Sequence, residues 1–130
     1  MLYQQTTQVP NIVFDTYLPT LTGAEYKVLS IIIRQTNGWY DKTTGRRKTR
    51  DRISHGQFMK KTGLCRRVVS KSLQSLVNRG LVTVGDRMGR PLQNARDRKG
   101  MSHLYYGLSY TQVWAKTYAV QGIGEILARY

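Results

Sequence analysis

The stretch Asp51–Val82, DRISHGQFMKKTGLCRRVVSKSLQSLVNRGLV, contains two helices, the turn between them and the stop that closes the second. Ser54-His55-Gly56-Gln57 has the spacing of a capping box, in which the serine hydroxyl and the glutamine side chain satisfy two backbone N–H groups that every helix start leaves free. A short helix is expected from there through about Thr62. Gly63 then allows a sharp turn, because a residue without Cβ enters the left-handed region readily. A second helix follows from Arg66 to Arg79, closed by Gly80. Val69, Leu73, Leu76 and Val77 recur at three- and four-residue intervals and form its apolar stripe. Arg67, Ser70, Lys71, Gln74 and Asn78 form the opposite, polar stripe.

Upstream, Thr22-Gly23-Ala24-Glu25 is another capping box and predicts a helix over 24–36. Val28, Leu29, Ile32 and Ile33 make that helix apolar over a wide face, hence buried. The β-branched run Ile31-Ile32-Ile33 offers a strand as the competing reading, but the cap and the length favour a helix. Asn37-Gly38 is its expected stop. Residues 1–20 read as an irregular lead-in packed on the domain through Val13, Phe14, Tyr17 and Leu18, with Pro10 and Pro19 breaking regular structure. DKTTGRRKTR, residues 41–50, reads as a polar basic loop, followed by a short strand at Arg52-Ile53. Trp39 is expected to cap the core under the first helix.

Downstream, Leu81–Arg87 reads as a strand with Val82 and Val84 pointing one way. His103–Ser109 reads as a second strand, in which Leu104, Tyr106 and Leu108 alternate with Tyr105 and Gly107. The connection between them, 88–102, is rich in Gly, Pro and Arg and longer than a usual hairpin loop, which suits a functional segment. Residues 110–130 are expected to be helical, with Val113, Trp114 and Tyr118 as an apolar patch interrupted after it by Gly122 and Gly124.

The 130 residues carry 21 Lys/Arg and 7 Asp/Glu, a formal net charge of +14. All of that excess lies in residues 42–99, where 17 Lys/Arg face Asp51, Asp86 and Asp97. Elsewhere Lys27, Arg34, Lys116 and Arg129 cancel Asp15, Glu25, Asp41 and Glu125. So concentrated a field attracts polyanions, and nucleic acid first among them. The basic block lacks the long amphipathic helix that membrane-surface binding needs, and no apolar run approaches the ~20 residues of a membrane span. The N-terminus lacks the basic-then-apolar order of a secretory signal, and a cytoplasmic location in a bacterial host, in cytosol or nucleoid, is the expectation.

Enzymatic chemistry finds little support in the sequence. Cys65 is the single cysteine and His55 and His103 the two histidines, without metal-ligand spacing, so no metal site and no cofactor are expected. There is no phosphate-cradling G-x-x-x-x-G-K-[ST] motif, and the carboxylates are scattered. His55 is read as a surface or phosphate-contact residue. Tyr105, Tyr106 and Tyr110 are candidates for stacking on unpaired bases, although strand alternation sends some of them to the core.

Helix, short helix, turn, helix and hairpin is the order of a winged helix-turn-helix. The expected fold is therefore α+β, mainly α, spanning 21–109, with a long basic β-hairpin wing and a C-terminal helical segment at 110–130. In such a fold the second helix of the motif lies in the major groove of double-stranded DNA. Arg66, Arg67, Ser70, Lys71 and Gln74 are then the recognition-helix residues, since Arg and Gln read base edges while Lys and Ser hold phosphates. Arg87, Arg90, Arg96, Arg98 and Lys99 form the wing, suited to phosphates or the minor groove. Lys42, Arg46, Arg47, Lys48 and Arg50 form a basic loop for the DNA backbone.

Two stretches also carry a family likeness. LPTLTGAEYKVLSIIIRQTNGWY, Leu18–Tyr40, together with Asn11–Asp15 and the helix-turn-helix stretch, resembles the N-terminal domain of phage replication protein O. The likeness rests on Ile32, Ile33, Arg34, Thr36, Gly38 and Trp39, then on Asp51, Ile53, Ser54, Gly63, Leu64, Val69, Leu76, Gly80 and Leu81. The phrase around Trp39 is the specific part; the helix-turn-helix alone fits many regulators. The resemblance implies a winged-helix domain that binds repeated sites at a replication origin, with replication proteins as further partners. Family members commonly carry a C-terminal region that recruits the helicase or its loader, for which a chain ending at Tyr130 leaves little room. Cys65 departs from the serine that would cap the helix better, and the wing is longer and more basic than expected.

The expectation is thus a non-enzymatic duplex-DNA-binding protein, an origin-binding initiator of a phage, plasmid or other mobile element. A transcriptional repressor of the same fold is the alternative, and an RNA- or single-strand-binding adaptor a third. A homodimer through 110–130 would suit a repressor on a palindrome, and a monomer on direct repeats an initiator.

Overall fold

Both capping boxes form. Thr22 Oγ1 accepts from the Glu25 amide at 3.1 Å while the Thr22 amide donates to Glu25 Oε1 at 2.8 Å. Ser54 and Gln57 repeat the exchange at 3.1 and 2.9 Å. They open helices α1 (Gly23–Thr36) and α2 (His55–Thr62). Gly63 ends α2 at φ +76°, in the left-handed region, and the chain turns into α3 (Arg66–Asn78). The computed structural model describes residues 4–41, 43, 45–101 and 103–109. The expected helix over 110–130, with its dimerisation role, lies outside the described residues, as does Lys42.

Each helix turns its apolar face inward. Val28, Leu29, Ile32 and Ile33 of α1, Phe58 of α2 and Val69, Leu73 and Leu76 of α3 are all buried in one cluster. Each such side chain contributes about 1.5–3 kcal/mol through burial. Glu25 ties α1 to α3, its carboxylate accepting from the Ser75 hydroxyl. Burial opposes ionisation of Glu25, but the bonds from Ser75 and from the Thr22 amide and hydroxyl, with the charge of Arg79, together hold its carboxyl below the ordinary value.

Strands β1 (Tyr40–Asp41) and β2 (Arg46–Arg47) pair as a small hairpin. Strands β3 (Arg50–Arg52), β4 (Val82–Gly85) and β5 (Tyr105–Leu108) form an antiparallel sheet in the order β3-β5-β4. Val82, Val84, Tyr106 and Leu108 are buried as the alternation predicts, whereas Gly107, expected on the other face, is buried too. The chain is therefore α+β and mainly helical, with one three-stranded sheet beside the helices.

Three local expectations need correction. The lead-in is not irregular: residues 11–20 coil helically, as a π turn at Val13–Tyr17 and a 3-10 turn at Leu18–Thr20. Its prolines fit because Pro19 occupies a first-turn position, where no N–H is required. Ile12 and Val13 are buried, whereas Phe14 and Leu18 stay 44% and 40% exposed. Residues 41–50 are not all loop, since Tyr40–Asp41 and Arg46–Arg47 pair. Trp39 does not cap the core: it is 52% exposed, with the Arg34 guanidinium 5.6 Å and the Lys48 ammonium 5.9 Å from its ring centre. The core takes Ile12 and Val13 from the lead-in, and the two cations give the indole face a partner at the surface.

The long hairpin connection, too, is more ordered than a loop: its described residues 88–101 form a folded insert. Asp86 is buried and accepts from the amides of Met88 and Arg90 at 2.9 Å each, closing a tight turn with Gly89 at φ +87°. The hydrogen bond from Arg90 foremost, then that from Met88 and the Arg90 charge, holds the Asp86 carboxyl below its ordinary value against the effect of burial. Pro91 then bridges Gly85 and the Leu92 amide donates to Val84 O at 2.8 Å, so the chain runs back along β4. A single helical turn, α4 (Ala95–Arg98), follows before β5.

Candidate nucleic-acid interface

The polar stripe of α3 is set by its apolar one. With Val69, Leu73 and Leu76 inside, Arg66, Arg67, Ser70 and Lys71 are exposed. No acidic residue lies in the first turn of α3 to offset the two arginines. Cys65 precedes them, exposed and making no side-chain cap.

Gln74 differs from its neighbours on this stripe. Its Nε2 donates to Asn78 Oδ1 at 2.8 Å and to Gln93 O at 3.0 Å. Its Oε1 accepts from the Arg98 guanidinium at 2.5 Å. Arg98 also donates to Leu92 O at 2.8 Å and is half-buried. Burial lowers its pKa from the ordinary value, against the opposing influence of Tyr106 and Asp97. Gln74 and Arg98 thus join α3 to the insert.

The other wing cations remain at the surface. Arg87, Arg90, Arg96 and Lys99 are exposed, although Arg90 Nε donates to Asp86 Oδ2 at 3.1 Å. Met88, 85% exposed, stands between Arg87 and Arg90 at the tip of the turn. Its place at a tip was readable from the Asp-x-x-Gly spacing of residues 86–89, which favours a turn.

The basic segment before α2 meets this turn. Arg50 donates from Nη1 to Asp86 O at 3.1 Å and from Nη2 to Arg87 O at 3.0 Å, its guanidinium 5.0 Å from the centre of the Tyr105 ring. Lys48 pairs with Asp51 at 3.0 Å. Arg46 is exposed, and Arg47 is placed by its strand pairing with Tyr40. The two basic segments are therefore physically joined, through Arg50, across one face of the sheet.

Between α3 and α4 lies a cleft of about 610 Å³. Arg66 and Ser70 line one wall and Arg96, Arg98 and Lys99 the other, with Leu73, Met101 and Leu104 also lining it. His55, at the start of α2, opens onto it. Desolvation, then the charges of Arg66 and Arg98, lower the His55 pKa from its ordinary value. Behind the cleft Tyr106 is fully buried, edge-on to Phe58 at 5.3 Å. Burial pushes its hydroxyl up to about 12 despite the nearby Arg98 charge, and that hydroxyl has no hydrogen-bond partner among the described residues.

Among the described residues no three His, Cys, Asp or Glu side chains come together as a metal site, and no helix is long and apolar enough to cross a membrane. No protein-family model matches the chain, and neither a characterised protein nor a solved structure is significantly similar to it.

Proposed function

We propose that this protein binds double-stranded DNA as a winged helix-turn-helix, with α3 in the major groove and the basic segments around Arg46 and Arg87 on the flanking backbone. The observation that carries the reading is the exposure of Arg66, Arg67 and Lys71 opposite the buried stripe of α3; the two further basic segments are tied to each other by Arg50. A duplex laid along α3 would meet cations from three parts of the chain, and backbone contacts of that kind supply most non-specific affinity. Arg67 is the candidate for base reading, because Gln74 is engaged with the insert. By its likeness to phage replication protein O, the reading extends to an origin-binding initiator, with repression of transcription as the alternative role for the same surface.

Selection of bound sequences from a random duplex pool tests the reading. A recovered motif whose enrichment Arg67→Ala flattens supports it. Stronger competition by structured RNA or by single strands than by duplex rejects it. Mapping the bound sites in a host genome then separates the roles: direct repeats beside a replication gene mark an initiator, a promoter palindrome a repressor.

A further inference from the structure

The cleft between α3 and α4 shares Arg66 and the wing cations with the duplex-binding reading, but that reading does not require their enclosure with an apolar lining. Four cations line it, Arg66, Arg96, Arg98 and Lys99, and no carboxylate does so among the described residues. Arg98 is held in place by Gln74 and Leu92, so one wall is fixed rather than a loose side chain. The lining also includes apolar Leu73 and Leu104, 2% and 6% exposed, together with Met101. Its size falls within the range of small-ligand pockets, about 300–1,000 Å³. An inorganic anion would use the cations and leave the apolar lining wet. A lipid-like chain would use the apolar lining and leave the cations unpaired.

We infer that this cleft binds a single nucleotide unit, its phosphate among Arg66, Arg96 and Lys99 and its base against Leu73, Met101 and Leu104. The choice of a nucleotide among organic phosphates rests on the nucleic-acid reading above. Two sources share the chemistry: an unpaired nucleotide at the end of a DNA strand, and a free nucleoside monophosphate. Arg67 does not line the cleft, so α3 divides its cations between it and the outer face.

The test uses the full chain and three probes: dAMP, a blunt duplex, and the same duplex bearing one unpaired 5′-phosphorylated nucleotide. Ala95 lines the cleft at the start of α4, and Ala95→Phe fills it without altering charge. The expected result is saturable binding of dAMP, or tighter binding of the overhang than of the blunt duplex, weakened about tenfold in Ala95→Phe, as loss of charged hydrogen bonds predicts. If Ala95→Phe does not fold, Arg96→Gln with Lys99→Gln must remove the same preference. Blunt-duplex binding by wild type with no response to dAMP and no overhang preference overturns the cleft inference and leaves the duplex reading standing. Failure of the blunt duplex to bind overturns the duplex reading instead, and the dAMP arm then decides the cleft by itself.

Discussion

Arg67 and Arg98 were both read from sequence as DNA contacts, one on the recognition helix and one in the wing, and the structure gives them different surroundings. Arg67 is exposed, whereas Arg98 is committed to Gln74 and Leu92. Arg67→Ala is therefore expected to weaken binding to a preferred site by ~1–3 kcal/mol while leaving random DNA nearly unaffected. Arg87→Ala should weaken all sequences alike. Competitive titration with specific and random duplexes checks both. His55 faces Arg66, Arg96, Arg98 and Lys99 across the cleft, and its folded value lies below 6.5. The unfolded chain takes up that proton first, so stability falls as pH drops through 6.5 towards the lowered value. An NMR titration placing His55 at or above 6.5 would contradict its part-buried setting beside Arg66 and Arg98. Glu25 works in the opposite sense to a buried neutral acid: its folded value lies below 4.5, so its contribution is present above 4.5 and lost as pH falls through the lowered value. Glu25→Ala should destabilise by about 1–2 kcal/mol at neutral pH. Denaturant curves should show that difference shrinking on acidification below 4.5.

At the scale of elements, the insert 86–101 behaves as a unit hung between the Asp86 turn and the Arg98–Gln74 contact. Arg98→Ala is expected to free its second half. Hydrogen exchange should quicken over 92–101 while β4 and β5 hold, with an overall loss of about 1–2 kcal/mol. Unchanged exchange there would show that the contact does not hold the insert. The helices were legible in the sequence because their determinants are local. Thr22 with Glu25, Ser54 with Gln57, and Gly63 act over three residues or at one backbone position, and the stripe on α3 is periodic. The fold of the insert was not, because Arg98 meets Gln74 at 24 residues' separation and Arg50 meets Asp86 at 36. No pattern within 88–102 announces either partner. The lead-in was misread for a related reason: proline at a first-turn position permits a helix, and burial of Ile12 and Val13 rewards one. Trp39 was placed by its apolarity alone, and its cationic neighbours come from α1 and the segment after β2.

For the whole molecule, the decisive property is where the excess charge of +14 ends up after folding. The core takes apolar residues from every main helix and the sheet, and Arg66, Arg67 and Lys71 on α3, Arg87 and Arg90 at the Asp86 turn and Arg46 on the β1–β2 hairpin stand exposed. Arg50 of β3 reaches the carbonyls of the Asp86 turn, and Gln74 with Arg98 ties α3 to the insert. The most direct measurement is the salt dependence of duplex affinity for wild type and for Arg67→Ala with Lys71→Ala. If about 6 phosphates are neutralised, the wild-type log–log slope is near −5, and the double variant is shallower by roughly 1, from the phosphate contact of Lys71, since Arg67 reads a base. A wild-type affinity indifferent to salt, or a slope the double variant leaves unchanged, would contradict the placement of α3 on the DNA.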